Sequence, residues 1–255
     1  MGKKEIVKSK QRKRTDENGI AYKLSQLQIQ YLINCRKSNL GKKLEEKGIK
    51  GRIKWVSPIP KDNFKEYGGQ NFLKQLRLDY LKDELKKFWP SRSPQWDALG
   101  LLKGGEEGYI LVEAKSHIGE INKRGTSSTN EANKDKIRES ILNTRKRLLN
   151  SKDNYKENWK KEYYQIINRI CFQNFLKENI KKHSPKKVYL LFIYFINDPE
   201  KEASQEQWKY KLKEIKDILG IKENHIENCH DIFIDAVETN AARCCLKNLV
   251  KKKKE

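Results

Sequence analysis

The segment KKVYLLFIYFIND, residues 186–198, is the most apolar stretch of the chain and is flanked by turn-formers. Its Val, Ile, Phe and Tyr content reads as a strand. Two further strands are expected in PQWDALGLL and YILVEAKS, joined by the turn KGGEEG, with others near 52–57 and in HDIFIDAVE. Helices are expected over 21–36, about 70–88 (stopped by Pro90), 128–149 and 159–179. SQEQWKYKLKEIKDILG reads as a helix ending at Gly220, and AARCCLKNLV as a closing one. GKKLEEKGIKG and SKDNYKEN read as polar connections. Strands alternating with helices imply an α/β fold of mixed α+β character, with a central mixed β-sheet flanked by helices. No repeat or Pro/Ser-rich linker divides the 255 residues. We expect a basic flexible arm over 1–18, a single domain over 19–250 and a solvated basic tail over 251–255.

The formal charge of +22 favours polyanionic partners, nucleic acid or an anionic membrane surface. It comes from 44 Lys and 12 Arg, a balance that suits phosphate contact better than base reading. A Lys-, Asn- and Ile-rich composition also follows from A/T-rich coding, which discounts the charge somewhat. No apolar run reaches the roughly 20 residues of a membrane span, and MGKKEIVKSKQRKR lacks a signal-peptide core. Ile6 stands where a myristoylation motif needs Ser or Thr. A soluble, cytoplasmic protein without a membrane partner is expected. Five cysteines without a C-x-x-C pair argue against a disulfide framework and a zinc ribbon, and His225, Cys229 and His230 read as an incidental cluster.

Chemistry concentrates in GYILVEAKSHIGE, residues 108–120, where Glu113 and Lys115 stand inside an apolar strand. Being two apart, they share one face, and Ile110, Val112 and Ala114 take the other. An antiparallel hairpin through KGGEEG sets Asp97 opposite residues 113–115, with facing Cβ atoms about 5 Å apart. Two carboxylates that close repel, so such a site wants a cation, and oxygen donors suit Mg²⁺ or Mn²⁺. On a continuous helix over 70–88, Leu76, Tyr80, Leu81, Leu85 and Phe88 form an apolar stripe with Glu84 in its middle. Glu84 is then either a fourth site residue or the partner of Arg77 two turns back. In helix 159–179, Gln165 and Arg169 are semi-buried polar groups placed to contact a phosphate, or else to anchor the helix. His117 reads as structural or as part of the site's rim.

Glu84, Asp97 and, fifteen residues later, Glu113-Ala114-Lys115 resemble the PD-(D/E)XK nuclease superfamily, the restriction-endonuclease-like fold. FWPSRSPQWDALG, ILVEAKSH and YYQIINRI also look like a group of uncharacterised bacterial proteins within it, over roughly residues 52–238. One departure is that Pro94, and no residue adjacent to Asp97, supplies the proline. The resemblance implies a restriction-endonuclease-like core and metal-dependent hydrolysis of phosphodiester bonds, DNA favoured. It implies Glu84, Asp97, Glu113 and Lys115 as catalytic residues and Asp97, Glu113 and the Ala114 carbonyl as Mg²⁺ or Mn²⁺ ligands. Lys115 would orient or deprotonate the attacking water, its pKa lowered by partial desolvation, or neutralise developing charge. Similar enzymes often dimerise, so a homodimer is allowed. Two alternatives remain at this point: a catalytically inactive nucleic-acid-binding protein of the same fold, and a basic RNA- or ribosome-associated protein. No aromatic-rich β platform for stacking single strands is evident in the sequence.

Overall fold

The computed structural model describes residues 14–91, 93–121, 125, 128–149, 159, 163–181, 186–222 and 226–254. Five strands form one sheet in the order β1-β2-β3-β4-β5: Arg52–Ser57, Ala98–Lys103, Gly108–Lys115, Lys187–Ile196 and Cys229–Asp235. The first two pairings are antiparallel and the last two parallel, which makes the sheet mixed as expected. Parallel neighbours need crossovers, and helices supply them. α5 (Glu131–Leu149) and α6 (Tyr164–Ile180) lie between β3 and β4, and α7 (Gln205–Leu219) lies between β4 and β5.

The two faces of the sheet are covered differently. Ala98, Ile110, Val112, Ala114, Leu191 and Ile193 pack on α1 (Leu24–Cys35) and α2 (Lys37–Glu46) through Ile29, Leu32, Leu40 and Leu44. Leu99, Leu111, Leu190, Phe192 and Tyr194 face the larger core with α3 (Asn71–Gln75), α4 (Lys82–Phe88), α5, α6 and α7. Covered on both sides, β3 is buried along its whole length and β4 from Val188 to Phe195, which is why both strands read as near-continuous apolar runs. α6 is buried from Ile167 to Leu176, sandwiched as its two apolar sides require. α7 opens with a Ser204–Gln207 capping box and closes on Gly220 at φ 66°.

Several expectations are corrected. The single helix over 70–88 is broken: α3 ends at Gln75, Arg77 takes φ 61°, a 3₁₀ turn spans Asp79–Leu81, and α4 begins at Lys82. A left-handed residue cannot continue a right-handed helix, so residues on either side of it do not share one stripe. The polar connection after α1 is largely helical, because α2 buries Leu40 and Leu44. The helix expected over 159–179 runs as α6 from Tyr164, after Tyr163 at φ 50°. The connection over 151–158 lies outside the described residues. Of the arm, residues 1–13 also lie outside them, but 14–18 are attached: Thr15 bridges Ala21, and Asp16 Oδ2 receives Arg243 Nη2 at 3.1 Å. The basic tail is no separate segment, since α8 runs Thr239–Lys254. Cys35 and Cys245 form a disulfide between α1 and α8, against the expectation from cysteine spacing. Spacing did not bring together two residues 210 apart; the packing of the helices does.

Gly100 shows how tightly the β1–β2 pair closes. A Cβ there would stand 2.8 Å from Ile53 Cγ2 and 3.2 Å from the Trp55 ring. Gly100→Val is expected to lower unfolding free energy by about 1–3 kcal/mol in urea titration. A loss under about 0.5 kcal/mol, the range of neutral surface changes, would contradict the packing. Among the described residues no helix is long and apolar enough to cross a membrane.

Candidate active site

The pleat of β3 sends Leu111, Glu113 and Lys115 toward the larger core and their neighbours toward α1 and α2. Glu113 and Lys115 are therefore ionisable groups in a nearly dry layer, 2% and 9% exposed. They persist because each is paired. Lys115 Nζ donates to Glu113 Oε1 at 2.5 Å. Arg169, 4% exposed on α6, donates from Nε to Glu113 Oε2 at 2.7 Å, and its Nη2 lies 2.6 Å from the same oxygen as an ion pair. Its Nη2 also donates to the Gln95 carbonyl at 2.8 Å and its Nη1 to Asn168 Oδ1 at 2.9 Å, while the guanidinium lies 4.9 Å over the Trp96 ring.

The hairpin register brings Asp97 to the same spot. Ala98 pairs with Val112, the Asp97 N–H donates to the Val112 carbonyl at 3.1 Å, and Asp97 Oδ2 accepts the Ala114 N–H at 2.7 Å. In an extended strand a residue's N–H and C=O point to the same side, so the Ala114 carbonyl also faces the Asp97 side. The sequence missed a third acid. Tyr67 bridges Trp96 antiparallel, and one step along that bridge sets Glu66 against Asp97. Gln26 Nε2 holds Glu66 Oε1 at 2.9 Å. A fourth acid, Glu120, follows in the 3₁₀ turn Ile118–Glu120; its Oε1 lies 3.5 Å from His117 Nε2 and its Oε2 accepts the Ser116 N–H at 3.4 Å. Glu66 has no periodic signal, since it lies in a loop. Glu120 stands in the HIGE stretch just past Lys115, and proximity alone pointed to it.

The electrostatics sort these groups. Burial raises the Glu113 carboxyl, but Arg169 and Lys115 outweigh it and hold the acid below its ordinary value. Burial, then the Glu113 charge, pushes Asp97 well above the ordinary aspartate value against the pull of Lys115. Burial raises Glu66 and Glu120 also. For Lys115 burial pulls downward, yet Glu113 and Asp97 win and the ammonium is held above the usual lysine value. The lowering expected on partial desolvation is thus corrected: the neighbouring carboxylates outweigh it.

Of the sequence-selected residues, Asp97, Glu113, Ala114, Lys115 and Arg169 converge. Gln165 joins them at the edge of a small cavity that Glu113, Lys115, Ile166, Phe192 and Tyr194 also line. Glu113, Asn168 and Gln95 engage three of the five N–H groups of Arg169, one on each of its nitrogens. Glu84 falls outside: it sits in the first turn of α4, and none of the cluster's hydrogen bonds or ion pairs involves it. The break at Arg77 removed the stripe that singled Glu84 out, and Arg77 does not pair with it either. His225 lies outside the described residues, while Cys229 and His230 are adjacent on β5 and face opposite ways.

No three acids, histidines or cysteines among the described residues stand in a metal-binding arrangement. The donors do fit a hard cation of low protein coordination. Asp97, Glu113 and the Ala114 carbonyl are oxygen ligands, and Mg²⁺ commonly takes one or two carboxylates and keeps water for the rest. Asp97 is also an acid held above its ordinary range by neighbouring negative charge, which a cation would relieve. The Glu113 oxygen that accepts from Lys115 keeps a second lone pair. Comparison with known protein families, curated proteins and solved structures returned no match.

Proposed function

We propose that this chain is a metal-dependent nuclease that hydrolyses phosphodiester bonds in nucleic acid, DNA favoured, in the manner of the PD-(D/E)XK enzymes it resembles. The observation that carries this is the gathering of Asp97, bonded to the Ala114 N–H, and the Glu113–Lys115 pair at one end of the β2–β3 hairpin. Asp97, Glu113 and the Ala114 carbonyl would hold Mg²⁺ or Mn²⁺, which supplies a nucleophilic water at neutral pH and polarises a phosphoryl oxygen. The chain's own part is positional. Arg169 fixes the Glu113 carboxylate in place, and the Ala114 N–H fixes that of Asp97. Lys115, charged throughout, draws the phosphate in and offsets the negative charge that grows on it. Glu66, beside Asp97, is the acid best placed to assist, in the part first assigned to Glu84.

Supercoiled plasmid and single-stranded DNA incubated with wild-type protein are expected to be cut in Mg²⁺ or Mn²⁺ and left intact in EDTA. Cutting that continues in EDTA refutes the metal. One observation favours a second reading, a protein of the same fold that binds nucleic acid without cutting it: Lys115 and Arg169 engage both oxygens of Glu113. Tight DNA binding with no cutting under any divalent ion would select it.

A further inference from the structure

A cavity of about 830 Å³ opens between α6, α7 and the sheet, on the same face as the acidic cluster. Ile166, Phe192 and Tyr194 line both it and the small cavity that Glu113, Lys115 and Gln165 border, so the two are neighbours. The strand register explains this. Glu113 pairs with Phe192 and that with Asp231, and Lys115 pairs with Tyr194 and that with Phe233, giving two rows across three strands. Within the cavity, Tyr194 lies 6.4 Å from Phe192 and 5.8 Å from Phe233 between ring centroids. Phe233 is half-buried, so part of its ring is open. Phe192 and Tyr194, both on β4, are buried at 4% and 2% exposure, so Phe233 on β5 is the ring of these three left partly open.

The rim is basic. Lys209 and Lys213, four apart on α7, are exposed and make no ion pair among the described residues, and Lys47 and Lys222 reach the same mouth. Asp217 and Asp231 are the acids of the lining, and Asp231 is neutralised by Lys216 at 2.8 Å. The volume lies within the roughly 300–1,000 Å³ of ligand sites. An apolar, aromatic floor under a lysine rim matches a nucleobase joined to phosphate. Paired bases in a duplex present no free face, whereas unstacked bases do.

We infer that this cavity holds unpaired nucleotides of a single-stranded substrate, with a base against Phe233 and phosphates on Lys209 and Lys213, leading the strand toward Glu113 and Lys115. The inference rests on the nucleic-acid reading above and adds to it the strandedness. It is tested by fluorescence anisotropy of the full chain in EDTA with a labelled oligothymidylate of about 12 nucleotides and with a duplex of equal length. Wild type should prefer the single strand. Lys209→Glu/Lys213→Glu should weaken single-strand binding roughly tenfold, and Lys74→Glu/Lys87→Glu, the same charge change outside the cavity, less than about threefold. Phe233→Leu, which keeps an apolar side chain without the ring, should weaken it about fivefold. Equal losses from the two lysine pairs, no effect of Phe233→Leu in a protein that melts as wild type, or duplex bound as tightly as single strand would overturn the inference. Because binding is read without metal, a failure of cleavage in Mg²⁺ would leave this result standing and count only against the nuclease.

Discussion

Asp97→Asn is expected to abolish plasmid cleavage, slowing it at least about a hundredfold, while leaving the fold intact. It should also melt at or above the wild-type temperature in EDTA. The folded environment raises the Asp97 pKa through burial and the Glu113 charge. A group so shifted contributes its stability below the ordinary aspartate pKa and loses it as pH rises through the raised value. At neutral pH the ionised carboxylate therefore opposes folding, and an amide that keeps the oxygen facing the Ala114 N–H removes the repulsion. Mg²⁺ should raise the melting temperature of wild type and have little effect on the variant. A variant that still cuts removes Asp97 from the site. One that is clearly less stable than wild type in EDTA shows that the carboxylate serves the fold.

Arg169→Ala should be among the most damaging single changes in the chain, lowering stability by about 3–5 kcal/mol in chemical denaturation. Arg169 is 4% exposed and is the main counter-charge of a glutamate that is 2% exposed. Removing it leaves Glu113 with Lys115 alone, and leaves the Gln95 carbonyl without that donor. The double variant Glu113→Gln/Arg169→Ala should recover part of the loss, because the unpaired charge goes with its partner. Additive effects of the two changes would mean that the pair carries no coupling and that Arg169 acts through its packing on Trp96.

The contrast between these two residues marks what the sequence could disclose. The hairpin was legible because strand alternation and a turn fix register locally, which brings Asp97 to the Val112–Ala114 stretch of β3. The layering followed from the alternation of apolar strands with amphipathic helices. Glu84 misled because its significance depended on helix continuity, which the left-handed Arg77 interrupts, and no Gly or Pro announced that break. Glu66 and Glu120 could not be found by period, since a loop and a 3₁₀ turn deliver them. Arg169 was recognised as a polar group on a buried helix, but its partner depends on how α6 crosses the sheet, a long-range matter that spacing does not encode. The aromatic cavity was hidden for the same reason, its rings being scattered over β4 and β5.

The union of α1 with α8 has a bearing on how the molecule comes to exist. Ile20, Ala21 and Leu27 share a small core with Ala242 and Leu246, fastened nearby by Asp16–Arg243 and Cys35–Cys245. During synthesis the ribosome delivers the first half of this core long before the second. Until α8 emerges, that side of α1 has Phe64 but lacks Ala242 and Leu246, and is open to chaperones or to other nascent chains. The seam between α1 and α8 therefore closes only after the 210 positions that separate its two cysteines have been made.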